Sequence, residues 1–143
     1  MKAMAVFAFS MAMAAGADLA AVKAEPNPER RAKLAIDHAN EEVNAAGKAY
    51  SNGDARAAMA AVREIVESVD LCKASLEATG KDARKSPRPF KRAEMEIREL
   101  LRRLKTLEND FSVDDRPAVV EAEQHLQEVH DDLIQQIMTK KKK

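Results

Sequence analysis

Tryptophan is absent from this chain of 143 residues, tyrosine and cysteine occur once each, as Tyr50 and Cys72, and there are only four glycines and five prolines. One cysteine makes no internal disulfide and supplies no Cys-x-x-Cys-His haem attachment. Cys72 also lies too far along the chain to serve as the lipid-modified first residue of a lipoprotein. The formal net charge is zero, so no global field draws the molecule onto nucleic acid or anionic lipid. What is abundant is alanine, leucine, glutamate, lysine and arginine. Their side chains lose little freedom in a helix, so an all-α fold is expected. The length suits one domain.

Lys2 is followed by an apolar run from Ala3 to Ala15 and then by Gly16 and further small residues. This is the layout of a signal peptide, with its charged start, greasy centre and small-residue cleavage site. The run has no polar stripe of helical period and is shorter than the roughly 20 apolar residues of a membrane span. Two cuts fit, one after Ala17 and one after Ala24. The second is preferred, because it falls just before the helix-start signal Asn27-Pro28. The chain thus divides into a signal peptide over 1–24, a helical domain over 25–139 and a tail of Lys140, Lys141, Lys142 and Lys143. Export to the bacterial periplasm or cell envelope follows.

Four long segments have apolar residues every third or fourth position. The first carries Ala32, Ile36, Ala39, Val43, Ala46 and Tyr50, and stops at Ser51-Asn52-Gly53. Asp54 caps the second, which carries Ala55, Met59, Val62, Val66 or Ile65, Val69, Cys72 and Leu76. The connection 81–89 is the longest, and Ser86-Pro87 reads as an N-cap and first helical residue. Phe90, Ala93, Ile97, Leu100 or Leu101, Leu104, Leu107 and Phe111 make the third stripe. Asp114 or Asp115 begins the fourth, with Val119, Ala122, Leu126, Val129, Leu133 and Ile137. These seams predict an up-down-up-down four-helix bundle preceded by a signal peptide, its helices about 36 Å long.

Charge is unevenly spread. Residues 81–105 hold ten basic and four acidic residues, whereas 108–132 hold nine acidic residues and only Arg116 as a base. An antiparallel basic and acidic helix pair accounts for this as complementary surface. Nucleic-acid binding is not expected, since no aromatics are interleaved with the cations. The lysine tail reads as a frayed solubilising end, and its contact with anionic lipid is the lesser alternative.

Familiar chemistry is missing. There is no nucleophile elbow, phosphate loop or zinc-protease helix, so no catalytic residue and no enzyme is expected. None of His38, His125 or His130 follows a glutamate by three positions, which excludes a di-iron bundle. A haem bundle of the cytochrome b562 type needs a methionine in the first helix, where the mature chain has none. One constellation remains: His38 with Glu42, and Glu121 with His125, lie about 16 Å and about 20 Å above the same end of the expected bundle. Both pairs flank their seams, so the expectation is partly exposed polar residues with no bound metal and no cofactor. Cys72 falls on an apolar stripe and is expected as a small buried hydrophobe.

Residues 47–54, Gly-Lys-Ala-Tyr-Ser-Asn-Gly-Asp, with Ala58 and Val62, resemble the hairpin of a tetratricopeptide repeat. One copy is present, over 47–62, and it implies a packed helical hairpin. The stretches 80–87, 90–94, 98–104 and 128–131 (Gly-Lys-Asp-Ala-Arg-Lys-Ser-Pro, Phe-Lys-Arg-Ala-Glu, Arg-Glu-Leu-Leu-Arg-Arg-Leu and Glu-Val-His-Asp) resemble an uncharacterised family of small exported bacterial helical proteins. That likeness implies export and one domain, with no activity and no assigned residues. The expected function is a protein-protein interaction or scaffold module of the cell envelope. Its partner-binding residues and oligomeric state are not legible. The alternative is a periplasmic stress chaperone or metal-responsive protein of the small Spy and CpxP type, whose Leu-Thr-x-x-Gln motif is missing here.

Overall fold

The computed structural model describes residues 15–139. Lys2, most of the apolar run behind it and the lysine tail lie outside the described residues. Five helices follow one another: α1 (Ala15–Lys23), α2 (Pro28–Ser51), α3 (Ala55–Ala78), α4 (Arg88–Asp110) and α5 (Arg116–Met138). The fold is all-α, with no strand among the described residues.

Local chemistry explains where α2 and α3 begin. Asn27 Oδ1 accepts from the Arg30 amide at 3.0 Å, and Asp54 Oδ1 accepts from the Ala57 amide at 3.0 Å. Each bond satisfies a donor that the first helical turn leaves without a carbonyl. Gly53, at φ +82°, reverses the chain between them in a left-handed conformation that costs other residues strain. The start of α4 departs from expectation, whereas α5 begins after Asp115 as expected. Pro87 itself occupies the N-cap of α4, and no side chain, Ser86 included, caps that end. Asp115 stands at the N-cap of α5, but its carboxylate is engaged elsewhere, accepting from the Tyr50 hydroxyl at 3.0 Å and from Ser112 Oγ at 3.1 Å.

The apolar stripes of α2 to α5 meet in one core, to which α1 adds Val22. Ile65, Val69, Ile97, Leu100, Leu104, Val119, Leu126 and Leu133 are wholly buried. Ile65 rather than Val66 and Leu100 rather than Leu101 take the inward positions. Ala35, Ala39, Ala46, Ala58 and Ala61 are buried along α2 and α3. Side chains this small let the two backbones approach closely along their length.

The order of neighbours is not the order of the chain. α2 packs on α3 and α4, and α5 packs on α4 and α3. α3 and α4 meet only sparsely although consecutive, and the α2 and α5 backbones make no close approach. The connection between α3 and α4 therefore crosses an end of the core. It is fastened by buried Ala83, by the Asp82 carboxylate accepting from the Arg84 amide at 2.9 Å, and by a Lys81–Glu29 ion pair at 2.9 Å. α1 lies against α2 and α3, with Leu19 and Val22 buried. Arg31 secures the bend between α1 and α2, donating to the Glu25 carbonyl and to Ser75 Oγ, each at 2.8 Å. Among the described residues no helix is long and apolar enough to cross a membrane.

Candidate functional site

Two places combine chemistry with a space. The first is a buried polar cluster on the α2–α3 seam. His38 and Glu42 lie one turn apart on α2, and both are buried, at 3% and 4% exposure. Glu64 reaches them from α3: its Oε1 is 3.0 Å from His38 Nε2, while Glu42 Oε1 is 3.8 Å from that same nitrogen. One ligand-capable atom from each of the three residues lies within 4.8 Å of the others. The second imidazole nitrogen, Nδ1, is buried without a hydrogen-bond partner, and the nearest carboxylate, Glu41 Oε2, stands 3.9 Å away.

This corrects the pairing expected from helix heights. Glu121 and His125 do not join His38 and Glu42, because α2 and α5 sit across the core from each other. Equal height along two helices gives contact only when the helices are neighbours. His125 turns to α3 instead, with Nε2 2.6 Å from Asp70 Oδ1. Glu64 was missed because it belongs to no apolar stripe. A signal existed: reflecting His38 through the tight turn at Asn52 and Gly53 lands within one helical turn of it.

The second place is the end of the molecule where α2 and α4 begin. A hollow of about 410 Å³ has Ile36, Cys72, Leu76 and Ala93 in its lining and Arg30, Arg88 and Arg92 beside them. A neighbouring hollow of about 790 Å³ shares Arg88 and Arg92 and adds Lys91 and Met95. Among the described residues Arg88, Lys91 and Arg92 form no ion pair. Met95 is exposed. Cys72 is buried, and burial pushes its thiol up to about 12, so it is not a thiolate nucleophile.

The remaining charges of α4 pair mostly along α4 itself, through Arg98–Glu94, Arg102–Glu99 and Lys105–Glu108, rather than across to α5. The expected complementarity is thus largely intrahelical, since positions three and four apart are always within reach. Glu94 is the exception. Burial opposes its charge, but bonds from Arg98 and from His130 of α5 outweigh this and hold its carboxyl below the usual range. On α5, burial and then the facing Glu108 raise Glu123 to about 7. Glu108 itself is lowered by bonds from Lys105 and Glu123.

No protein-family model matches the chain, and comparison with curated proteins and with solved structures likewise returns no match.

Proposed function

We propose that the chain is a non-enzymatic exported protein of the bacterial cell envelope, an interaction or scaffold module built as an up-down-up-down four-helix bundle behind a signal peptide. The bundle reading is supported by four long amphipathic helices that share one core, with the polar bonds between α2 and α3 running antiparallel. Export is supported by Lys2, the apolar run and the small residues after it. Of the two cuts, the one after Ala17 leaves Leu19 and Val22 in their buried places, and so is now the better supported.

The observation that carries the interaction reading is the set of three cations, Arg88, Lys91 and Arg92, without an ion-pair partner among the described residues, around a hollow that exposed Met95 lines together with Lys81, Glu29 and Glu96. The α4 amides at this end lack a side-chain cap and add positive potential. The surface suits a protein segment that presents carboxylates beside one apolar side chain. A photo-crosslinking residue in place of Met95 should capture one discrete envelope protein. The same residue at exposed Val113 should not, and R88E/R92E should abolish the adduct. Equal capture from both positions, or capture indifferent to the charge reversal, overturns the reading. The alternative of a metal-responsive protein is favoured by the separate cluster at His38.

A further inference from the structure

We propose that His38, Glu42 and Glu64 bind one divalent transition-metal cation, zinc by preference. The ligand set is one imidazole nitrogen and two carboxylate oxygens on facing helices, within 4.8 Å of one another. Oxygen and nitrogen ligands around zinc stand at about 2.0–2.2 Å from the ion, hence about 3.4 Å from one another in a tetrahedron. His38 Nε2, at 3.0 Å and 3.8 Å from the two carboxylates, is already near that spacing. A neutral imidazole, two carboxylates and a divalent ion together carry no net charge, which suits a buried position. The imidazole disfavours magnesium and calcium, which prefer all-oxygen shells.

The independent observation is the orphaned ring nitrogen. A carboxylate only accepts, so His38 facing Glu64 at 3.0 Å donates from Nε2, and Nδ1 is buried without a hydrogen-bond partner. An ion taking the Nε2 lone pair shifts the ring proton to Nδ1, on the side of Glu41. A side-chain rotation of Glu41, which is 71% exposed, from its present 3.9 Å would complete the carboxylate–histidine–metal arrangement that orients ligating imidazoles. Metal binding with that rotation gives the buried Nδ1 a hydrogen-bond partner. A hollow of about 280 Å³ lined by Leu19, Lys23, Arg63, Glu64 and Glu67 opens on the solvent side of Glu64, the outermost of the three ligands.

The test is zinc titration of the metal-free full chain by calorimetry and thermal melting, with cobalt absorption as a report on geometry. One zinc per chain, a raised melting temperature and intense tetrahedral cobalt bands are expected. E64Q, a same-size change at the rim of the cluster, should weaken binding at least about tenfold. H38Q should abolish the cobalt bands, and H125Q should match the parent. Unchanged affinity in E64Q overturns the proposal. So does the absence of heat and of any melting shift at about a hundredfold zinc excess. The result is independent of the α4 docking surface, because none of these residues lines it.

Discussion

The ring of Tyr50 stacks on the ring of Phe111, centroids 3.9 Å apart and planes 12° from parallel, so the end of α2 closes against the turn between α4 and α5. The Tyr50 hydroxyl completes the joint, donating to Asp115 and accepting from the Ser112 amide at 2.8 Å. Tyr50→Phe keeps the stack and removes both bonds, and should cost about 0.5–3 kcal/mol in a urea melt. Tyr50→Ala should cost more, because the stacked area is lost as well.

Leu104 is wholly buried in the middle of the α4 stripe. Leu104→Ala should destabilise by about 2–5 kcal/mol, the transfer term plus the cavity left behind. Superimposable urea melts of variant and parent would contradict the shared core.

Glu123 gives the molecule a pH dependence of defined sign. Its folded value, raised to about 7 from an ordinary 4.5, means that the protonated acid is the form favoured by folding. This contribution is complete below the ordinary value and disappears as pH rises through about 7. Glu123→Gln keeps a neutral side chain, so its melting temperature should gain on the parent between pH 5 and 8. A constant difference across that range would refute the assignment. Glu108, lowered instead, acts oppositely and loses its contribution as the solution is acidified below the ordinary carboxylate value.

At Gly53 an added methyl group would meet nothing within 4 Å, so only its φ of +82° resists substitution. Gly53→Ala should cost about 1–2 kcal/mol, read as a lower denaturant midpoint with an unchanged slope.

The proposed removal of a leader is checked by the mass of the protein recovered after expression in a bacterium, in the proposed envelope fraction. A first residue of Asp18 is expected. A first residue of Glu25 would mean that buried Leu19 and Val22 are discarded, and a retained Met1 would refute cleavage.

Much of the fold was legible because its causes are local. Asn27 and Asp54 cap helices with their own side chains, and Gly53 turns the chain by its own backbone freedom. Neither needs a distant partner. Asp115 begins α5 as expected, but Tyr50 and Ser112 take its carboxylate, and α4 starts one residue later than Ser86-Pro87 indicated. The candidate site was half legible. His38 and Glu42 are paired by helical spacing alone, whereas Glu64 joins them only through the register of two packed helices.

What the amino-acid order determined by itself is the set of helices and the face each one hides, since periodicity and capping act over three or four residues. Which helices became neighbours was decided by packing of the whole. Placing α5 beside α3 and α4, across the core from α2, sent His125 to Asp70 and His130 to Glu94. A side chain one turn off a seam takes its partner from whichever helix lies on that flank, and no local rule specifies that choice.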